Sequence, residues 1–184
     1  DGFLAPNEPA AFDTKSGELR ATRTDNRITL DFPTDTVQAT EPPTGLLDAL
    51  GTPTPAFIGR SDRDLLVQVD DADTVQTLAP DLRTIATLDA RGVVVTAPAP
   101  ADSEADFVSR FFAPAVDVPE DPVTGSTHCA LGPYWAEQLG RTTLTGRQIS
   151  ERGGTVEMHL ASPTADRITL GGQATTVVQG RLTV

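Results

Sequence analysis

The sequence predicts an α+β fold in which a curved sheet or barrel of short strands wraps around one buried central helix. Three observations carry this. The stretch Thr127 to Leu139 is apolar on almost every side, and a helix without a polar face has to be buried. Short segments that alternate apolar and polar residues recur from Phe12 to Val184. Fifteen prolines and fifteen glycines punctuate them, which favours many turns over long helices.

Taken in order, residues 12–32 read as a strand meander. Lys15-Ser16-Gly17 and Asp25-Asn26 are turn signals, and Pro33, lacking an N–H, ends the third strand. Residues 34–43 are polar and proline-bearing and read as a linker. A short helix over Leu46 to Leu50 stops at Gly51 and Pro53. Ala56–Gly59 and Leu65–Val69 read as a strand pair about Ser61-Asp62-Arg63. Two short helices follow, Ala72 to Leu78 and Leu82 to Leu88, the first with Asp70, Asp71 and Asp73 at its positive end. Val93–Thr96 is a buried strand. Asp106 to Phe112 is a strand with Phe107, Ser109 and Phe111 on one face and Val108, Arg110 and Phe112 on the other. Beyond the central helix, strands are expected at 142–149, 155–161, 167–171 and 175–184.

Composition excludes several function classes. The chain has 184 residues, enough for one ordinary domain, and its 38% hydrophobic and 22% charged residues are those of a globular protein. The formal charge of −12 argues against a nucleic-acid partner, since phosphate binding needs a basic surface. No apolar run approaches the roughly 20 residues of a membrane helix, and no stretch of these residues combines the basic start and apolar middle of a signal peptide. A single cysteine rules out an internal disulfide framework and fits a reducing, cytoplasmic compartment. Lys15 is the only lysine, which fits a GC-rich genome or adaptation to high salt. The first residue is Asp1 rather than Met, so a processed, trimmed or cut chain is expected.

Chemistry concentrates in residues 120–140, which hold the only Cys, Trp and Tyr. Two carboxylates, Glu120 and Asp121, precede a turn at Pro122. Gly125, Ser126 and Thr127 then open the helix, where unpaired N–H groups and the dipole favour anions. Thr124 and Ser126 are N-cap candidates, so the hydroxyls could equally serve only to cap the helix. Asp121, pushed out of helical geometry by the proline after it, can serve as an acid or base, or be a solvated loop carboxylate. A serine hydrolase does not fit: Ser126 and His128 lie about 200° apart on a helix, and no Gly-x-Ser-x-Gly elbow exists. No metal is expected, because His128 and Cys129 are adjacent, His159 stands alone and no CxxC or HExxH occurs. Arg152-Gly153-Gly154 could clamp a carboxylate, or could be a hairpin corner.

Three segments together resemble the PhzF family of phenazine biosynthesis-like isomerases, which are related in fold to diaminopimelate epimerase. They are Arg110-Phe111-Phe112-Ala113-Pro114, Glu120-Asp121-Pro122-Val123-Thr124-Gly125-Ser126-Thr127-His128-Cys129-Ala130-Leu131, and Gln148-Ile149-Ser150-Glu151-Arg152-Gly153-Gly154. Phe12–Leu19 and Leu30-Asp31-Phe32-Pro33 resemble the end of that family's first domain. The resemblance implies two similar halves, each a sheet around a helix, with the active site between them. It implies cofactor-independent isomerisation or epimerisation of a small carboxylated substrate by proton transfer, in a homodimer. Asp121 and Ser126 match the second half's catalytic residues. Thr124, Gly125, Ser126 and Thr127, with Arg152, Gly153 and Gly154, would bind the substrate's carboxylate.

On the same resemblance, residues 1–33 are the last strands of the first half, 34–43 the linker, and 44–184 the second half, with the last strand able to return to the first. The first half's catalytic glutamate has no counterpart here: Glu8 and Glu18 belong to the meander. The segment alone is therefore expected to be inactive and to associate with a missing N-terminal half or a second copy. The competing expectations are a non-catalytic anion-binding module and a structural dimerisation half.

Overall fold

The computed structural model describes residues 8–14, 17–51, 54–178 and 180. The opening meander is β1 (Ala10–Thr14), β2 (Gly17–Thr24) and β3 (Arg27–Pro33), followed by a two-residue strand β4 (Gln38–Ala39) and a helix α1 (Leu46–Leu50). A hairpin of β5 (Phe57–Arg60) and β6 (Asp64–Gln68) leads to short helices α2 (Ala72–Thr77) and α3 (Leu82–Ile85). Then come β7 (Gly92–Pro98), β8 (Phe107–Ala113), a 3-10 turn Pro114–Val116 and β9 (Val118–Asp121). The central helix α4 (Gly125–Leu139) precedes β10 (Thr143–Gln148), β11 (Gly154–Leu160) and β12 (Arg167–Gln173). Among the described residues these strands form one mixed sheet in the order β1-β2-β3-β12-β11-β10-β8-β7-β6-β5-β4, with β9 added alongside β8.

The side-chain alternation of β8 decides where the core sits. Phe107 and Phe111 enter one apolar cluster with Leu131 and Trp135 of α4 and with Leu144, Met158, Ile168 and Leu170 of β10–β12. Val108 and Phe112 enter a second cluster with Leu46, Val75 and Ile85 of α1–α3 and with Val93 and Val95 of β7. The sheet is thus buried on both faces along β6–β8, with α4 inside and the three short helices outside. Helix α4 lies close to β12: a Cβ on Gly132 would collide with Ile168 Cδ1.

Pro133 sits inside α4, where it removes the N–H that Cys129 O would accept. That carbonyl takes the backbone N–H of Asp35 instead, at 3.0 Å. Asp35 is therefore held against the helix, and β4 further along the same segment pairs with β5.

Two differences from the sequence expectations concern the ends. The expected strand at 175–184 is absent over 174–178, where Val177 and Val178 are exposed; residue 179 and residues 181–184 lie outside the described residues. It is β12 that returns to the meander, pairing antiparallel with β3 from Arg167↔Pro33 to Gln173↔Arg27. The expected turn residues Lys15 and Ser16, residues 1–7, and Pro53 also fall outside the described residues. Strands β4 and β9 had no sequence signal, being two and four residues long.

Candidate functional site

Asp121 ends β9, and Pro122-Val123 carries the chain from that strand to α4. Thr124 occupies the N-cap position, with φ −113° and ψ 103°, yet its side chain does not cap the helix. Its hydroxyl donates to Asp121 Oδ2 in a short hydrogen bond. Ser126, the other N-cap candidate, lies inside the first turn. The first-turn N–H groups of a 15-residue helix are thus left without a side-chain cap, directly beside a carboxylate.

Gln148, 1% exposed at the end of β10, locks this turn. Its Oε1 accepts from Thr124 N at 2.9 Å, and its Nε2 donates to Asp121 O at 2.5 Å and to Thr124 Oγ1 at 3.2 Å. The parallel pairing Gln148↔Ser109 brings it under the turn from 24 residues away. Glu120 is engaged differently: Arg110 Nε and Nη2 donate to its two oxygens at 2.7 and 2.9 Å. Arg110 also donates to the carbonyls of Val75, Gln76 and Leu78 at the end of α2. Glu120 is therefore a strut, and Asp121 is the carboxylate left facing the groove.

That groove holds about 370 Å³. Its apolar wall is Phe111, Ala113, Val116, Val118 and Val123; its polar end is Arg91, Asp121, Thr124, Gly125 and Ser126. Of the expected site residues, Asp121, Thr124, Gly125 and Ser126 come together here. Thr127 is 1% exposed and lies behind them, in the interior. Arg152 lines a separate concavity with Glu120, Pro122, Ser150 and Glu151. Gly153 has φ +69°, a turn requirement. Gly154 packs where a Cβ would collide with Val123 Cγ2. The two glycines thus seat the hairpin on the Asp121–Val123 turn, helped by Ser150 Oγ donating to Pro122 O at 2.9 Å.

The residue that sequence reasoning missed is Arg91. Its Nη1 donates to Ser126 Oγ at 3.0 Å, and its other nitrogens hold Asp64. Hydrogen bonding to Asp64 pushes the already high pKa of Arg91 further up, against desolvation, with Asp35 and Asp121 adding smaller attraction. No local pattern marks it, because its partners lie 27 and 35 residues away.

His128 and Cys129 are not groove residues. Burial pushes the Cys129 thiol up to about 12, with a smaller contribution from Asp35, so it is not a ready thiolate. His128 is fully buried, with Nδ1 2.7 Å from Thr124 O, an acceptor, so Nδ1 carries the proton. Burial lowers its pKa below 6.5, partly opposed by that bond to Thr124. The sign follows. Below pH 6.5 the unfolded chain takes up a proton that folded His128 refuses, so its contribution is intact above that pH and stability is lost as pH falls. The expected slope is up to about 1.4 kcal/mol per pH unit. Urea unfolding between pH 5 and 7.5 checks it: the slope should flatten in His128→Gln, and equal slopes would contradict this account.

Among the described residues no group of three or more His, Cys, Asp and Glu side chains could hold a metal ion, and no helix is long and apolar enough to cross a membrane.

Solved structures give the class of fold. A phenazine biosynthesis protein of the PhzF family from Enterococcus faecalis superposes with a TM-score of 0.86 at 33% identity, over 99% of this chain and 67% of that one. A protein described as a predicted epimerase from Pseudomonas aeruginosa shares the fold, with a TM-score of 0.63 at 17% identity, over 94% of this chain and 67% of that one. The fold is epimerase-like. The family described as phenazine biosynthesis-like protein (PhzC-PhzF) matches residues 4–180, and the chain belongs to that family. An uncharacterized isomerase of Pseudomonas aeruginosa is 42% identical over 177 residues, 96% of this chain and 65% of that protein. The chain spans about two thirds of the length of the curated relatives it matches.

Proposed function

We propose that this chain supplies one side of the active site of a cofactor-independent isomerase or epimerase, which moves a proton on a small carboxylate-bearing substrate. The observation that carries the reading is the meeting, in one groove, of the Asp121 carboxylate and the uncapped N-terminus of a buried 15-residue helix. Removing a proton from carbon beside a carboxylate builds an enolate-like anion. Such a reaction needs an acid–base group at the carbon and fixed donors at the oxygens. Asp121 is the acid–base group. Thr124 occupies its Oδ2 and fixes the carboxylate, leaving Oδ1 for substrate. The helix N–H groups about Gly125 and the Ser126 hydroxyl are the donors. Gly153 and Gly154 support the turn that carries Asp121, and Arg152 is outside this role. The second acid–base group, a glutamate by family resemblance, would face Asp121 across the groove. The relatives described as isomerases and the epimerase-like fold support the same reading.

The test is a titration of ¹⁵N-labelled protein with benzoate and, separately, with benzamide. Amide shifts at Gly125, Ser126 and Thr127 are expected with benzoate alone. Equal binding of uncharged benzamide, or shifts confined to the Arg152 concavity, would overturn the site.

A further inference from the structure

At the polar end of the groove lies a partly buried ion pair with no part in the proton transfer. Asp64 opens β6 and is 4% exposed. The parallel register pairs Asp64 with Gly92, which brings Arg91, the residue before it, onto the same carboxylate. Arg91 Nε donates to Oδ1 at 2.9 Å and Nη2 donates to Oδ2, a two-point grip that fixes the guanidinium plane. The Phe111 ring lies against the guanidinium, 5.2 Å from centroid to Cζ. Arg91 N donates to Arg63 O at 2.7 Å and pins the backbone as well. What remains is Nη1, which donates to Ser126 Oγ at 3.0 Å.

The consequence lies on the serine. An exposed serine ordinarily samples three rotamers. A hydroxyl that accepts from a fixed cation loses that freedom. Its own hydrogen must point away from the guanidinium, so it remains available as a donor on the groove side. Accepting from a cation also polarises the O–H and strengthens its donation to a negative oxygen. A tie between β7 and α4 alone would need none of this, since α4 is already anchored by its buried face.

We infer that Arg91, held by Asp64, is a positioning residue that orients the Ser126 hydroxyl toward an anionic oxygen of the ligand. The inference rests on the reading of Ser126 as a ligand-contacting residue, and the two can fail separately. The experiment measures benzoate dissociation constants by amide-shift titration for wild type, Ser126→Ala, Arg91→Lys and the double variant, with melting temperatures alongside. Lys keeps a cation beside Asp64 but cannot grip it at two points and reach Ser126 at once. Each single variant is expected to weaken benzoate about 10- to 100-fold, the size of one hydrogen bond to an anion. The double variant should be no weaker than the worse single by more than about 2-fold, because both changes remove one interaction.

A wild-type affinity in Ser126→Ala overturns the site reading and the inference with it. A loss in Ser126→Ala with wild-type affinity in Arg91→Lys, or multiplied losses in the double variant, overturns the inference alone. If Arg91→Lys does not fold, Asp64→Leu/Arg91→Met removes both ends of the pair and leaves no buried charge alone. It is expected to bind benzoate as weakly as Ser126→Ala, and wild-type affinity there overturns the inference.

Discussion

Asp121→Asn is expected to slow proton transfer by about 10²- to 10⁴-fold, the usual contribution of a positioned acid–base group. The substitution keeps the size of the side chain and an oxygen that can accept from the Thr124 hydroxyl, so the turn geometry survives. Gln148 is unaffected, because its bond at this position goes to Asp121 O, a backbone atom. What is lost is only the ability to take and return a proton. The measurement is solvent-deuterium incorporation at the carbon beside the carboxylate, made on the full-length gene product with a panel of small carboxylates. Benzoate binding to the variant should stay within about 3-fold of wild type, since the helix N-terminus and Ser126 are untouched. Loss of exchange with retained binding supports catalysis by Asp121. A module that only binds anions would show the same titration and no exchange dependent on Asp121, and unchanged exchange in the variant would refute the assignment.

Trp135→Ala is expected to cost about 3–5 kcal/mol of stability. Trp135 is 2% exposed, stacks on Phe107 at 5.5 Å with a 7° interplanar angle, and meets Tyr134 edge-on at 5.6 Å. Its Nε1 donates to Thr96 Oγ1 at 3.0 Å, which ties α4 to β7. Removing the indole leaves a cavity between helix and sheet. Thr96 keeps its own bond to Val108 O at 2.7 Å, so it is not stranded, and the cost is mainly packing. Urea unfolding followed by far-UV circular dichroism is the right readout, because the variant has no tryptophan left to report fluorescence. A loss under about 1 kcal/mol would mean that α4 is held mainly elsewhere. The consequence reaches function, since the groove's donors sit at the N-terminus of the same helix.

The sequence by itself determined the central helix, because a largely apolar stretch after a Gly-Ser turn has to be buried, and Thr127–Gly132 and Tyr134–Ala136 are, with only the last residues Glu137–Leu139 exposed. It determined the strands around the helix, through alternation and through turns such as Asp25-Asn26, where Asp25 does adopt φ 56°. The two-faced pattern of β8 was also legible, and both faces are filled. So was the adjacency of Asp121, Thr124, Gly125 and Ser126, which are close in sequence and can only be close in space.

Tertiary structure alone decided the rest. Arg91 meets Ser126 because β6 and β7 are parallel neighbours and the turn into α4 passes over their ends. No residue pattern within reach of Arg91 encodes that. Gln148 and Arg152 sit four residues apart, yet one bonds the Asp121–Thr124 turn from beneath and the other lines a separate concavity with Glu120 and Pro122. The β10–β11 hairpin turns at Gly153, just after Arg152, and Gly154 packs on Val123. Pro133 looks like a helix breaker until Asp35 N is seen to take up the carbonyl it leaves unpaired. Local sequence specifies groups that are neighbours along the chain. Arg91 on Ser126, Gln148 on Thr124 and Asp35 on Cys129 each come from 24 or more residues away, and only the tertiary fold chooses them.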